Sequence, residues 1–227
     1  MLKKNNVHLE GVLEAFQVVG ETAGRSFALA SVVTLHARPG SAATMRPSER
    51  FSKIHHELRV VAGKGKEQML GMLSSAFEAT RTEGSVFSCA VDGHLFSDGT
   101  ESYIVCDMKN LKRVDRVKTS GNNRADILGE VVSTAHTGET ATIKLRTDDG
   151  GIFSSFILRR QNQQCWDMVV DGKIVKGDKL SLSGPLLSNR ETDGNNVIRS
   201  CQVSPHFIEK QRMEKSVTKK KGSVALA

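Results

Sequence analysis

The sequence predicts an all-β protein with minor α content, built as two small barrels of the same plan. The main observation is a pattern that occurs once in each half of the chain. A strand with a glycine near its end opens each half, and a second glycine-bearing strand comes later; the four glycines are Gly11, Gly93, Gly129 and Gly184. This spacing is too long for a solenoid unit, so two similar β domains are predicted.

Composition is compatible with this plan and points to an anionic partner. A chain of 227 residues fits one large domain or two small ones, and a hydrophobic share of 38% suits two small cores better than a large one. Lys and Arg number 32 against 25 Asp and Glu, which gives a net charge of +7. An excess of positive charge favours a polyanion such as nucleic acid.

The four cysteines, Cys89, Cys106, Cys165 and Cys201, are far apart and form no CxxC pair. Neither a metal site nor a cofactor is expected from this spacing, and the thiols are interpreted as buried residues of a reducing compartment. No apolar run is long enough to span a bilayer, and no signal-peptide core follows Met1. The sequence therefore predicts an intracellular protein without a membrane partner.

In the first half, strand signals surround one clear helix. Apolar residues alternate or dominate in the predicted strands, whereas residues 67–79 place apolar side chains at helical spacing. Residues 37–50 contain two prolines and are predicted to be a mobile loop. The predicted strands are residues 7–19, 27–35, 54–61, 85–94 and 101–108. Three strands, a helix and two strands are the order of the OB-fold, a five-stranded Greek-key barrel with a helix between strands three and four.

The second half repeats this order, with a short segment at 165–170 where the helix should be, so we expect that helix to be degraded or lost. The predicted strands are residues 127–136, 140–146, 152–160, 179–187 and 197–207. The fold prediction is thus two OB-fold barrels, the first with a helix. The predicted domains are 1–109 and 124–208, with a basic linker at 110–123 and a basic flexible tail at 209–227.

Three segments resemble the single-stranded-DNA-binding protein family. Residues 55–64, HHELRVVAGK, are similar to that family's His-Arg-Val-Val followed by Gly-Lys; residues 6–11, NVHLEG, resemble its opening Asn-x-Val-x-Leu-x-Gly. Residues 175–186, VKGDKLSLSGPL, are similar to its Lys-Gly-Asp-x-Val-x-Val-x-Gly-x-Leu. The resemblance implies tandem OB-folds that bind single-stranded nucleic acid.

The chain also departs from the bacterial members of that family. Most of their stacking aromatic residues are missing, and a basic tail replaces their acidic C-terminal tip. A similar shift characterises the accessory OB-fold proteins of kinetoplastid mitochondrial RNA editing, and the His55-His56 pair also resembles theirs. That resemblance implies a mitochondrial location, with the cytoplasm as the alternative.

Nucleic acid on an OB-fold lies across strands two and three, where it needs cations for phosphates and flat side chains for bases. In the second barrel, Ala141, Ile143 and Leu145 should face the core, which turns the cations between them outward. On the next strand Ile152, Ser154, Phe156 and Leu158 look core-like, so their neighbours are expected outside. The predicted nucleic-acid-binding residues are Lys144, Arg146, Phe153, Arg159, Arg160 and Trp166 in the second barrel and Lys53, Arg59, Lys64 and Lys66 in the first.

Alternatives remain for these residues: a solvated face for the cations, a cover over the barrel mouth for Phe153, and a barrel plug for Trp166. In the first barrel the outward side of strand two is predicted to be Ala28, Ala30, Val32 and Thr34, which lacks a cation and suits a protein interface.

The function predicted is binding of single-stranded DNA or RNA with little sequence preference within a nucleoprotein assembly. The alternative is an architectural subunit that pairs with other OB-folds or with itself. No catalytic constellation is recognisable, so enzyme activity is not expected.

Overall fold

The computed structural model describes residues 5–22, 25–37, 51–117, 123–193 and 196–211. The first half contains β1 (Asn5–Thr22), β2 (Arg25–Ala37), β3 (Phe51–Val61), α1 (Glu67–Thr82), β4 (Ser88–Ser97), β5 (Ser102–Asp107), a short 3-10 helix (Met108–Asn110) and β6 (Leu111–Arg113). The second half contains β7 (Asn123–Thr137), β8 (Thr140–Arg146), β9 (Ile152–Leu158), α2 (Gln163–Val170), β10 (Lys179–Gly184), β11 (Leu186–Asp193), β12 (Asn196–Val203) and β13 (Phe207–Lys210).

Both halves close into OB-fold barrels. In the first, β1 pairs with β2 and β4, β3 pairs with β2 and in parallel with β5, and β4 pairs with β5. In the second, β7 pairs with β8 and β10, while β9 pairs with β8 and in parallel with β12. Strand β11 continues β10 beyond Pro185 and pairs with β12. The prediction of two five-stranded Greek-key barrels is therefore confirmed.

The repeated glycines lie at the corners where a strand leaves one neighbour and joins the next. A Cβ atom on Gly93 would lie 2.6 Å from the carbonyl oxygen of Val105, and one on Gly129 would lie 2.6 Å from that of Arg146. Gly11 and Gly184 approach the backbone of the crossing strand more closely still. Glycine is needed at these corners because no side chain fits between the two backbones.

The two helices close one end of each barrel. Helix α1 confirms the predicted helix; Leu70 and Phe77 are buried, and the Phe77 ring meets that of Phe87 edge-on at 6.2 Å between centroids. Met69 and Met72 of the same helix are exposed. The helix of the second barrel was expected to be degraded or lost; it is present as α2 but has 8 residues, against 16 in α1.

Helix α2 forms because its N-terminus is capped and its apolar residues face the barrel. The Asn162 side chain accepts a hydrogen bond from the backbone N–H of Cys165 at 3.0 Å. Capping of this kind satisfies one of the free N–H groups of the first turn. Cys165 and Val169 are buried against the core.

Each barrel has a sixth strand beside its fourth. Strand β6 pairs with β4, and β13 pairs with β10. Strand β6 lies in the predicted linker 110–123, and β13 extends into the predicted tail at 209–227. The rest of the tail from 212, residues 118–122 of the linker and the predicted loop from 38 to 50 lie outside the described residues. No helix in the described parts of the chain is long and apolar enough to cross a membrane.

The barrels are joined edge to edge by their first strands. Strand β1 pairs antiparallel with β7, and Val7 lies opposite Ala125 at the centre of the pairing. Equivalent asparagines start these strands: the Asn5 amide binds the backbone N–H and carbonyl of Leu95, and the Asn123 amide binds those of Leu186. Each side-chain amide thus makes the pair of hydrogen bonds that a neighbouring strand backbone would make. Through the pairing of β1 with β7, the two halves form one continuous sheet.

Candidate nucleic-acid interface

The outer face of β8 presents two cations, as predicted. Ala141, Ile143 and Leu145 are buried, so Lys144 and Arg146 point away from the barrel and are exposed. Within the described residues, no carboxylate lies in ion-pair distance of either cation. Both charges are therefore available to an anionic ligand.

The prediction for the next strand, β9, is wrong. Phe153 is 2% exposed and Ile157 is buried with it, whereas Ile152 is 39% exposed. Ser155 lies on the same face as Phe153 and Ile157 and made that face look polar in the sequence. It can be buried because its hydroxyl accepts a hydrogen bond from the Ile143 N–H at 3.2 Å. Phe153 is therefore a core residue and cannot stack on a base.

Sequence reasoning missed Phe156, which takes the place intended for Phe153. It is half-buried on the outer face of β9, directly across from Thr142, and its neighbour Ser154 lies across from Lys144. The only signal that could have identified Phe156 is that a buried Ser155 hydroxyl can form a hydrogen bond with the neighbouring strand. If Ser155 faces the core, then Phe156 faces outward. We call Thr142, Lys144, Arg146, Ile152, Ser154, Phe156 and Leu158 the β8–β9 face.

Arg159, Arg160 and Trp166 lie together where β9 ends. The Arg159 guanidinium is 4.8 Å from the centroid of the Trp166 ring and pairs with Glu139 at 3.3 Å. Trp166 is half-buried against the core cluster, and its Nε1 is buried without a hydrogen-bond partner among the described residues. This arrangement agrees with the barrel-plug alternative for Trp166, while Arg160 is exposed beside it.

The face prediction for β2 in the first barrel is also wrong. Ala28, Ala30, Val32 and Thr34 are all buried, and the alternate positions on the outer side are Phe27, Leu29, Ser31, Val33 and Leu35, of which Val33 is buried as well. Both sets are largely apolar, so alternation alone could not assign them. The smaller set fills the narrow barrel interior, and the outer face is more apolar than predicted, with Leu29 41% exposed.

A hairpin of the second barrel docks on the first barrel beside this outer face. We call β11 and β12 the arm; it contacts β3 and β5. The N–H of Cys201 donates to the Ser102 hydroxyl at 2.6 Å. Arg199 bonds Glu57 and reaches Glu101 at 3.3 Å, and Arg190 lies 3.5 Å from Glu57. The arm is therefore fixed by hydrogen bonds and ion pairs.

Between the arm and the first barrel runs a groove of about 860 Å³. Its floor is formed by residues of β1, β2 and β3, including Ala15, Leu29 and Ser31, and Lys53 lines it from β3. The arm contributes Arg190 and Arg199 to the opposite wall. The groove thus lies on the outer face of β2 and β3, which is equivalent to the β8–β9 face of the second barrel.

Arg59 is not a free cation at this groove. Its guanidinium lies 3.7 Å from the Tyr103 ring centroid and donates to the Tyr103 hydroxyl at 2.7 Å. The Tyr103 ring in turn lies 5.1 Å from that of Phe96, which is exposed. Tyr103 is buried, and the three side chains form one stack at the β4–β5 hairpin.

His56 connects the two barrels through a buried polar network. Its Nε2 lies 2.9 Å from the Thr34 hydroxyl and its Nδ1 lies 2.8 Å from the Ser188 hydroxyl of the arm. Burial, assisted by the neighbouring His55, lowers the pKa of His56 to about 3. The ring is therefore neutral near pH 7, where it joins β3 to the arm.

The ten predicted site residues fall into separate groups. Lys144 and Arg146 lie on the β8–β9 face, and Lys53 lies in the groove. Lys64 and Lys66 are exposed in the turn before α1, at the opposite end of β3 from Lys53. Among the described residues, Lys144 and Arg146 therefore form a cationic surface on the second barrel that is separate from the predicted cations of the first.

The cysteines behave as buried residues. All four are free thiols, and burial raises the pKa of Cys89 and of Cys106 to about 12. In the part of the chain that the structure describes, no group of three His, Cys, Asp or Glu side chains could hold a metal ion.

Comparisons with known proteins agree on the architecture. No protein-family model and no curated protein matches the sequence. Among solved structures, the chain is similar to the wild-type single-stranded DNA binding protein from Thermus aquaticus, with 16% identity and a TM-score of 0.64 over 92% of this chain and 93% of that one. A deletion mutant of the same protein matches with 16% identity and a TM-score of 0.61, over 92% and 95% of the two chains. The chain thus has the fold of that protein along nearly its whole length.

Proposed function

We propose that this protein binds single-stranded DNA through the β8–β9 face, with little sequence preference. The observation that carries this proposal is the pair Lys144 and Arg146, two exposed cations that form no ion pair with any described residue and lie near the half-buried ring of Phe156. Strands two and three of an OB-fold are the usual place for a single strand, which needs cations along its backbone and apolar surface under its bases. The similarity to the Thermus aquaticus protein supports the same conclusion.

Low sequence preference follows from the side chains available. Base-specific recognition needs polar groups held against base edges, whereas cations meet only phosphates. Apart from Thr142 and Ser154, the β8–β9 face presents charge and apolar surface. RNA offers the same phosphates and base faces, so competition between matched DNA and RNA oligonucleotides decides between them.

A second candidate function is supported by the first barrel. Its outer β2 face exposes Leu29 and Leu35, and the arm docks on the neighbouring strands β3 and β5 of the same barrel. This favours an architectural role that pairs OB-folds, and both roles can coexist, one in each barrel. The RNA-editing assembly, the self-association and the mitochondrial or cytoplasmic location suggested by the sequence stay predictions.

Salt-dependent binding to a fluorescent oligothymidine tests the proposal. Removing the charges with Lys144→Ala and Arg146→Ala should weaken binding and reduce the slope of log K against log salt by about 0.7 for each lost phosphate contact. The matched control is Lys109→Ala with Lys112→Ala, two exposed lysines near β6 on the first barrel. It should leave the slope unchanged. A folded wild-type chain that fails to bind at low salt would contradict the proposal and favour the architectural function.

A further inference from the structure

Helix α1 carries a second apolar surface besides the one that closes the barrel. Met69, Met72, Ala76 and Ala79 are all exposed, and Met72 is 71% exposed. We call these four residues the α1 stripe. Their spacing along the chain is that of the a and d positions of a coiled coil, which lie in one line along a helix. The α1 stripe therefore has the spacing with which one helix packs against another.

No element in the described part of the chain covers the α1 stripe. Helix α1 contacts β1 and β2, and the residues that it buries are Leu70, Phe77 and Thr80, none of which belongs to the stripe. Isolated exposed apolar residues are common on protein surfaces. A continuous apolar line is less common and is typical of an interaction site.

The α1 stripe is complementary in size to itself when two copies run antiparallel. Pairing two α1 helices about Ser74 places Met69 of one copy opposite Ala79 of the other, and Met72 opposite Ala76. Each long methionine side chain then meets a small alanine, so the two helices can pack closely without a void. In a parallel pair the methionines would crowd at one end and the alanines would leave a gap at the other.

The charges at the two ends of the helix are complementary in the same arrangement. Lys66 precedes α1 and Glu83 follows it; both are exposed, and neither forms an ion pair with a described residue. Antiparallel pairing brings Lys66 of each copy close to Glu83 of the other. Lys66 then also approaches the C-terminal end of the facing helix, where the backbone carbonyls favour a positive charge.

We propose that α1 is an interface at which two copies of this chain associate, with their helices antiparallel and their α1 stripes in contact. The inference goes beyond nucleic-acid binding, because no residue of the β8–β9 face takes part. A helix of 16 residues is about 24 Å long. One such helix from each copy buries less than the roughly 1,200 Å² of a stable complex, so the dimer is expected to be weak and reversible.

Analytical ultracentrifugation of the full chain without nucleic acid, over a series of protein concentrations, measures the association. At an ionic strength of about 0.15 M, repulsion between two chains of net charge +7 is screened beyond about 8 Å. Met72→Glu places a charge in the middle of the interface and should raise the Kd of the dimer by about tenfold or more. Glutamate is a good helix former, so the helix itself should be unaffected.

The matched control is Val175→Glu, which adds the same charge at an exposed apolar residue of the second barrel. It should associate like the wild type. Thermal unfolding of each variant verifies that it is folded.

Cysteine crosslinking tests the orientation of the two helices. The four native thiols are buried, so a short bis-maleimide reacts preferentially with a thiol introduced on the surface. Met69→Cys and Ala79→Cys should each fail to crosslink alone, because like positions lie about 15 Å apart along the axis of an antiparallel pair. A mixture of the two variants should crosslink.

A charge reversal tests the pairing at the helix ends. Glu83→Lys should weaken the dimer by about twofold to fivefold, the range for exposed ion pairs, since it places a lysine opposite Lys66. Adding Lys66→Glu should restore the association. Both changes suit the helix dipole, so neither should weaken the helix.

A wild-type chain that stays monomeric at every concentration would overturn the proposal. Dimers that survive Met72→Glu would also overturn it, because their interface would lie elsewhere, for example on the outer face of β2. Equal losses in Met72→Glu and Val175→Glu would indicate a general effect of charge, and crosslinking of Met69→Cys alone would contradict the antiparallel arrangement. The proposed function is tested separately, since Met72→Glu should bind oligothymidine like the wild type at concentrations where both are monomeric.

Discussion

Strands β2 and β3 of the first barrel and strands β8 and β9 of the second occupy equivalent places in the fold, yet their outer faces differ. The second presents Lys144 and Arg146, which pair with no carboxylate in the described part of the chain, whereas the first presents Leu29 and Leu35 and lies beside the arm. The hairpin of the second barrel thus docks beside the outer face of the first barrel, while Lys144 and Arg146 are exposed on the outer face of the second. The two barrels share their glycine corners and the asparagines at the start of their first strands, and they differ in their outer faces.

The largest effect is expected at the glycine corners that the two barrels share. Gly11→Ala in the first barrel and Gly129→Ala in the second each force a Cβ against a crossing backbone. Each should lower the free energy of unfolding by roughly 3 kcal/mol, at the upper end for overpacked sites. Chemical denaturation measures both, and similar losses would show that the two corners are equivalent.

Gly71→Ala is the matched control, because nothing lies within 4 Å of the position a Cβ would take on this exposed helical glycine. It should be neutral or raise stability by about 0.5–1 kcal/mol, since alanine loses less backbone entropy. A Gly129→Ala variant as stable as the wild type would show that the corner tolerates a side chain and that the repeat has another cause.

The second prediction concerns the joint between the arm and the first barrel. The folded pKa of His56, about 3, lies below its ordinary value of 6.5, so the unfolded chain binds a proton between these values and the folded chain does not. Stability from the neutral ring is complete above pH 6.5 and is lost as the pH falls towards 3. The loss should approach about 1.4 kcal/mol per pH unit within that window.

Urea denaturation of the wild type and of His56→Gln at a series of pH values isolates this contribution from that of the carboxylates. The variant should be less stable at pH 7, because it loses part of the network to Thr34 and Ser188. It should also lose less stability between pH 6.5 and 4.5. Parallel pH profiles for the two proteins would show that His56 titrates normally and is not sealed beneath the arm.

A smaller effect is expected for the one ring on the open face. Phe156→Ala should weaken binding to oligothymidine by about 1 kcal/mol, near the lower end for base stacking, because the ring is half-buried. Phe207→Ala, which removes an exposed ring on β13, is the control and should leave affinity unchanged. Fluorescence anisotropy at one salt concentration measures both. Equal losses in the two variants would indicate a general effect on folding rather than stacking.

The repeat, the barrel order and helix α1 could be predicted because periodicity and glycine position are local signals. The faces of β2 and β9 could not. In β2 both sets of alternating residues are apolar, and in β9 a buried serine bonded to Ile143 imitates a polar face. Helix α2 has only two turns, so its hydrophobic periodicity is too short to predict a helix, although Asn162 provides its N-terminal cap.

Part of the candidate site could also be predicted. The outward cations of β8 follow from strict alternation, so Lys144 and Arg146 were found, whereas Phe156 was missed with the inverted strand. The arm could not be foreseen, because the pairs that dock it join residues more than 90 positions apart, such as Arg199 and Glu57. The groove, which depends on those contacts, is visible only in the folded chain.

Photo-crosslinking of the full chain to an oligothymidine that carries photoreactive bases tests most directly which surface holds the strand. Mass spectrometry of the digested complex should place crosslinks on β8 and β9, at or beside Thr142 and Phe156, and these should disappear in Lys144→Ala with Arg146→Ala. Crosslinks that bypass both strands and cluster elsewhere, on α1 for example, would contradict the account.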